Sequence, residues 1–220
     1  MPPVLVAERR RVERAATPVS ELLHVVVGSL PADVDEDERL GAALDLGGAL
    51  AGAPGVRASL LGRSTEHVVA ACWLDDPAAL EPFAESEPHM AFVMRGLAPL
   101  VSGMWSASVA TDAPPIALGG VAALWALAIP EQAGVYEWEV RRLLDSIAAL
   151  PGLAATGPTV EERERFRAGG VVALRRDEVT PFEQELEAAR AVWPAFAVEL
   201  HEALVPVIPA AAVAAAAPQP

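Results

Sequence analysis

The sequence has little of the side-chain chemistry that disulfides and metal sites require. Of its 220 residues one is a cysteine, Cys72, and four are histidines. A single cysteine excludes an intramolecular disulfide, and no HxH, HxxxH or Cys/His cluster offers the three or four ligands of a zinc site. Because Cys72 lies in the apolar run HVVAACWL, we expect a buried core thiol in a protein from a reducing compartment.

Basic residues are also scarce, since sixteen Lys and Arg face thirty Asp and Glu and give a formal charge of −14. Such a chain repels phosphate backbones and anionic lipids, so we expect that it binds neither nucleic acid nor a membrane. No run approaches the ~20 apolar residues of a membrane span, and the N-terminal stretch lacks the order of a secretion signal. We therefore expect a cytoplasmic protein.

Two catalytic motifs are missing as well. The stretch LGGALAG lacks the lysine and the strand-to-helix context of a phosphate loop, and no GxSxG elbow is present for a nucleophilic serine.

The pattern that is present is a repeated order of strands and helices. In the first half, ELLHVVVGSL, VRASLLG, HVVAACWL and SGMWSASVA read as strands, with helical segments after the first and third of them. This β-α-β-β-α-β order is the ferredoxin-like unit. Past the linker-like TDAPP the order recurs with GGVAALWALAIP, YEWEVRRLLDSIAALPG, GGVVALRR and closing helices over residues 182–207, which indicates a tandem duplication.

The predicted fold is therefore α+β, with two fused ferredoxin-like lobes whose antiparallel sheets pack face to face as an intramolecular dimeric α+β barrel. An alanine-rich edge strand is expected over 208–220, and the polar insertion 159–170 is either a solvated helical turn or a lid. The predicted boundaries are an N-terminal extension at 1–19, a first lobe at 20–111, a linker at 112–118, a second lobe at 119–213 and a disordered tail at 214–220.

The first half resembles the stress-responsive A/B barrel family of the dimeric α+β barrel superfamily. The resemblance covers residues 21–112 and is carried by LLHVVVGSL, APGVRASLLGRST and the segment from WLDDPAALEPFAESEPHMAF to SVATD, including His24 and the PH of His89. The resemblance implies a protein that binds or converts a small molecule. Some relatives are polyketide cyclases, others in the superfamily are cofactor-free monooxygenases or haem proteins, and many have no assigned activity. In the cyclase a tyrosine precedes the helix histidine by six residues, whereas Phe83 stands here.

His24 and His89 are the predicted catalytic residues. Two neutral imidazoles facing one apolar cavity suit proton transfer at a carbon acidified by a carbonyl, with His24 as base or hydrogen-bond partner and His89 as acid-base residue at the pocket mouth. In the structural alternative, His24 donates to a backbone carbonyl and His89 caps its own helix. The predicted substrate-binding wall, which core packing explains equally well, comprises Val26, Trp73, Phe83, Phe92 and Trp105, with Met90 and Met94 nearby.

Only the first lobe is expected to be active, because aligning Pro31 with Pro130 places Ala123 opposite His24, and the helix alignment places Trp193 opposite His89. His67 and His201 are read as surface residues. The predicted function is a cofactor-independent cyclase or lyase acting on a small hydrophobic or polyketide-like ligand. The alternatives are a non-catalytic stress-type or ligand-binding barrel and a cofactor-free monooxygenase. No cofactor is expected, although His89 could ligate a haem iron, and a further homodimer stays open.

Overall fold

The computed structural model describes residues 21–32, 38–116, 121–130, 136–160, 166–190 and 199–204. Eight strands are formed by these residues: β1 Glu21–Ser29, β2 Val56–Arg63, β3 His67–Leu74, β4 Gly103–Thr111, β5 Val121–Pro130, β6 Leu153–Pro158, β7 Phe166–Arg175 and β8 Glu199–Leu204. The α-helices are α1 Glu38–Gly48, α2 Leu80–Ala84, α3 Glu87–Met90, α4 Glu137–Ala148 and α5 Val179–Arg190, and a π-helical segment, Ala91–Leu97, continues α3. The predicted N-terminal extension and the predicted strand and tail after residue 204 lie outside the described residues.

The first half forms its sheet in the order β4-β1-β3-β2, with every neighbouring pair antiparallel. β1 is central and buried on both faces, as its β-branched sequence predicts. The predicted hairpin is confirmed, since β2 and β3 pair across the short connection at 64–66. This order places β1 between β3 and β4, so a residue of β1 has a cross-strand neighbour on each side.

The second half repeats the order as β8-β5-β7-β6. Here the prediction of closing helices over 182–207 is wrong in its last part, because residues 199–204 form β8 and pair with β5 from Ala123 to Ala128. His201 therefore lies on a strand and not on a helical face. The backbone groups of β5 need partners on this side, and pairing them outweighs the helical propensity of this stretch.

The insertion 159–170 also differs from its prediction. Residues 166–170 belong to β7, which pairs with β6, a strand to which the sequence analysis assigned no stretch. A strand ending in Gly157 and Pro158, with alanines before them, carries little β-branched signal. Residues 161–165 of the insertion lie outside the described part of the chain.

The two half-sheets join into one closed barrel. On one side Arg63 of β2 is opposite Leu204 of β8. On the other, Val109 of β4 bridges Thr159, and the Val160 N–H donates to the Ser108 carbonyl at 2.9 Å. This closure confirms the predicted fold class of two fused ferredoxin-like lobes forming a dimeric α+β barrel within one chain.

Apolar side chains from both halves fill the barrel lumen. One cluster unites residues of β1, β3, β5 and β7, among them Val25, Trp73, Leu124 and Val171. Two further cores lie outside the barrel wall, one beneath the helices of each half. The predicted location of the chamber inside the barrel is wrong for His24, because His24 shares its face of β1 with Leu22 and Val26 of the core beneath the helices and not with the residues of the lumen.

The helices after β3 form a broken run across the outer face of the first sheet. Asp76 caps the turn at Pro77–Ala79, α2 follows, and Ser86 caps α3 through its hydroxyl. In the π-helical segment the Ala98 N–H donates to the Val93 carbonyl at 2.8 Å. Such wide turns are often found at functional sites. No helix in the described ranges is long and apolar enough to cross a membrane.

Candidate functional site

His24 projects from β1 into the layer between the sheet and the helices. Its strand neighbours on this face, Leu22 and Val26, belong to the core beneath the helices, whereas Leu23 and Val25 belong to the lumen. The imidazole is 8% exposed. Its Nδ1 lies 2.9 Å from the hydroxyl oxygen of Ser108, the residue directly opposite it on β4. The hydrogen-bond partner of His24 is thus a side chain, whereas the structural alternative expected a backbone carbonyl.

Burial dominates the electrostatics of His24. Desolvation, with a smaller contribution from nearby His89, lowers the pKa of His24 to about 3. The ring is therefore neutral near pH 7 and carries one proton, on either Nδ1 or Nε2. Its Nε2 is buried and has no hydrogen-bond partner among the described residues.

His89 lies at the third position of α3, where the run of helices turns over β1. Its Nδ1 is 2.9 Å from the carbonyl oxygen of Ala84, and a carbonyl only accepts, so Nδ1 carries the proton and donates. In the neutral ring Nε2 is then a free base. Burial lowers the pKa of His89, while the bond to Ala84 acts in the opposite direction. His89 is half-buried and is thus the more accessible imidazole of the two.

Phe83 holds the two imidazoles in one aromatic cluster. Its ring centroid is 5.5 Å from that of His24 and 4.7 Å from that of His89, and the two imidazole centroids are 5.7 Å apart. Phe83 is completely buried. The aromatic ring fixes both orientations by packing, without a hydroxyl of its own.

A cavity of about 360 Å³ opens beside this cluster. It lies between the outer face of the first sheet and the helices, and both histidines line it. Among the described residues the lining holds no Asp, Glu, Lys or Arg, and the complete lining is His24, Val26, Leu80, Ala84, His89, Val93, Met104, Trp105, Ser106 and Ser108. The cavity is thus uncharged, and the polar side-chain groups of its lining are imidazoles, hydroxyls and the indole N–H of Trp105.

The predicted wall residues divide between the cavity and the cores. Val26 and Trp105 line the cavity, although the Trp105 ring packs on Phe166 at a centroid distance of 5.0 Å. Trp73 is wrong as a wall residue, because it lies on the opposite face of β3 within the lumen. Phe83 and Phe92 are buried in the core beneath the helices and do not line the cavity. Met90 and Met94, the nearby pair, are exposed and lie outside the lining.

Ser106 and Ser108 were missed by the sequence analysis. Both belong to β4, face the helices with Met104, and lie opposite Val26 and His24. The signal for them was the alternation in SGMWSASVA, which places Met104, Ser106 and Ser108 on one face. Their nearness to His24 depends on the β1–β4 register, which the sequence alone did not provide.

The second half has an aromatic pair in place of the imidazole cluster. Trp125 of β5 packs against Phe182 of α5 at a centroid distance of 5.5 Å. Phe182 directly follows a proline, as Phe83 does, so the two phenylalanines correspond. Since Phe83 packs on His24 and Phe182 packs on Trp125, the residue that corresponds to His24 is Trp125 and not Ala123. The alignment on the strand-end prolines is thus wrong by two residues. Trp193, the predicted counterpart of His89, lies outside the described residues.

Cys72 lies directly opposite His24 on β3 but does not line the cavity. Cys72 is buried on β3, and burial raises the pKa of its thiol to about 12, which leaves it protonated. Within the part of the chain that the structure describes, no group of three His, Cys, Asp or Glu side chains could hold a metal ion.

The sequence matches no protein-family model and no curated protein. Its structure is similar to that of an anthrone oxidase-like protein, with a TM-score of 0.59 and 12% identity over 85% of this chain and 92% of the other. Two provisionally assigned monooxygenases are also similar. The Fusobacterium nucleatum protein has a TM-score of 0.53 and 12% identity over 86% of this chain and 93% of the other. The Lactobacillus acidophilus protein has a TM-score of 0.51 and 9% identity over 85% of this chain and 93% of the other. At these identities the likeness establishes the dimeric α+β barrel fold.

Proposed function

We propose that this protein is a cofactor-independent enzyme that removes a proton from a small, uncharged, hydrophobic substrate in the cavity beside His24 and His89. The observation that carries the proposal is one uncharged cavity lined by two histidines, one of which has its Nδ1–H committed to a backbone carbonyl. A packed region around the two rings would have favoured a purely structural role, and a cavity of about 360 Å³ supports the enzyme instead.

His89 is the base in this proposal. Its Nε2 lone pair is free, and its lowered pKa keeps it unprotonated near neutral pH. His24 has a pKa of about 3 and is too weak a base to share this role. This assignment changes the prediction from the sequence, in which His24 could act as the base.

Removal of the proton leaves the electron pair of the C–H bond as a carbanion whose charge spreads onto a neighbouring carbonyl oxygen. From there two reactions are open. Attack on a second carbonyl closes a ring, which is the cyclase chemistry implied by the resemblance to the stress-responsive A/B barrel family. Reaction with O₂ forms a C–O bond, and the peroxide anion takes the proton back from His89 to become a hydroperoxide. Where that carbon carries a second hydrogen, this hydrogen leaves with the terminal O–H as water and a new carbonyl remains.

The oxygenase is the second candidate, and the names of the similar structures favour it. Those proteins are described as monooxygenases and as anthrone oxidase-like. Oxygen uptake with a phenolic substrate, without added flavin or metal, would support the oxygenase. Product formation with no oxygen consumed would support the cyclase.

Deuterium exchange tests the shared proton-transfer step without knowledge of the natural substrate. In D₂O the protein should catalyse exchange of the acidic C–H of 2-tetralone, a flat uncharged ketone, followed by proton NMR. His89→Ala should reduce the catalysed rate about 100-fold or more, because it removes the base. His67→Ala replaces a histidine outside the cavity and should retain the wild-type rate. Equal rates in the wild type and His89→Ala would overturn the proposal and favour the non-catalytic ligand-binding barrel.

A further inference from the structure

Proton removal in this cavity creates a negative oxygen that needs a hydrogen-bond donor. The lining described above holds no Lys or Arg to balance the charge. His89 becomes an imidazolium when its Nε2 takes the proton, but that N–H is then occupied at the deprotonated carbon and its Nδ1–H already donates to Ala84, so the oxygen needs a separate donor. The remaining side-chain donors in the lining are the ring N–H of His24, the indole N–H of Trp105, whose ring packs on Phe166, and the hydroxyls of Ser106 and Ser108.

His24 has an unpartnered ring nitrogen at this site. Its Nε2 is buried without a hydrogen-bond partner, a state that costs free energy and is rare in native structures. An oxygen placed beside the ring would provide the missing partner if Nε2 carried the proton. The group at Nδ1 is the Ser108 hydroxyl, which can donate or accept, so the direction of this one bond sets which ring nitrogen carries the proton.

Ser108 is held firmly beside the ring of His24. Its side chain is on a residue only 3% exposed, it pairs with His24 in the β1–β4 register, and its carbonyl accepts from Val160 at the seam that closes the barrel. The second half of the chain therefore braces a residue of the site in the first half.

We propose that Ser108 is a positioning residue that donates its hydroxyl hydrogen to Nδ1 of His24, keeps the proton on Nε2, and so makes His24 the donor to the oxygen of an uncharged ketone or phenol. The inference rests on the proposed function. In it the two imidazoles have separate roles: His89 takes the proton from carbon, and His24 donates a hydrogen bond to the oxygen. With the opposite arrangement, in which Nδ1 donates to Ser108, both imidazoles would present lone pairs and the developing oxygen charge would lose its imidazole donor.

The position of the proton on His24 can be measured without turnover. In ¹⁵N NMR spectra of the labelled full-length protein at neutral pH, the wild type should show a protonated Nε2 and an unprotonated Nδ1 that accepts a hydrogen bond. Ser108→Ala should shift the Nδ1 resonance toward that of a free nitrogen, and Ser108→Thr, which retains a hydroxyl, should restore it. Ser106→Ala is the matched control, because Ser106 lies opposite Val26, and should leave the His24 resonances unchanged. A proton on Nδ1 in the wild type would overturn the inference.

The exchange of 2-tetralone then links the subsite to the reaction. Ser108→Ala should reduce kcat about tenfold and change KM less than threefold, because the oxygen charge develops in the transition state. Ser108→Thr should recover most of the loss. If Ser108→Ala retains the wild-type kcat while His89→Ala loses it, the inference fails and the proposed function stands. If the wild type has the predicted protonated Nε2 but catalyses no exchange, the proposed function fails and the arrangement of His24 and Ser108 stands.

Discussion

At the scale of single residues, the surroundings of each imidazole decide what it can do. His24 is enclosed and has a pKa of about 3, whereas His89 is half-buried and bound to a carbonyl five residues before it in the chain. The sequence was sufficient to single out both histidines, because His24 lies in an apolar strand, His89 follows a proline at a helix start, and both match the family that the first half resembles. It could not assign their protons, since the partner of His24 is 84 residues away and is reached only through the strand register.

The buried neutral state of His24 makes the stability of the protein depend on pH. The unfolded chain binds a proton here near pH 6.5 and the folded protein only near pH 3, so acidification between these values favours unfolding. His24 alone should lower the free energy of unfolding by about 1.4 kcal/mol for each pH unit within this window. Urea titrations at pH 6 and pH 5 should show that His24→Gln loses less stability than the wild type. An identical loss in both proteins would mean that His24 is already charged in the folded state.

At the scale of helices and strands, the strongly patterned segments were predicted and the weakly patterned ones were not. β1, β3 and β5 carry β-branched or leucine-rich runs that end at a turn or proline, so their existence followed from the sequence. β6 and β8 owe their conformation to neighbouring strands that need hydrogen-bond partners. The π-helical turn also has no local signal, because it depends on how Ala91–Leu97 packs over α1.

The close approach of α1 to the π-helical segment gives a test at this scale. A Cβ at Gly96 would lie 3.3 Å from the Ala43 Cα, so the two elements have little room to separate. Gly96→Val should therefore lower the free energy of unfolding by about 1–3 kcal/mol through overpacking. Gly41→Val is the matched control, because a Cβ at Gly41 meets no atom within 4 Å. Equal stability of the two variants in chemical denaturation would show that this contact is loose.

At the scale of the whole molecule, one barrel supports two unequal halves. The first half carries the imidazoles and the cavity, while Trp125 and Phe182 form the corresponding contact in the second. The sequence predicted the barrel and the asymmetry of its halves, but it placed the cavity inside the barrel. That error came from β1, which is apolar on both faces, so its pattern does not tell which face meets the lumen. The lobe boundaries at residues 20–111 and 119–213 and the tandem duplication stay predictions.

The separation between lumen and cavity predicts that they can be perturbed independently. Trp73→Ala removes a large buried ring from the lumen and should cost about 3–5 kcal/mol of stability. Under conditions in which the variant remains folded, its rate of 2-tetralone exchange should stay within twofold of the wild type, because Trp73 faces away from both histidines. A rate that falls as far as in His89→Ala would connect the lumen to the chemistry.

The proposed ligand site lies between the first sheet and its helices, beside the two histidines and outside the lumen. An NMR titration of the labelled protein with 2-tetralone locates the bound ligand. We expect saturable shifts of side-chain resonances at His24, His89, Val93 and Ser108, with the side chains of the lumen residues Val25 and Leu124 unaffected. Shifts confined to Val25, Leu124 and Trp73 would place the ligand inside the barrel and rule out this site.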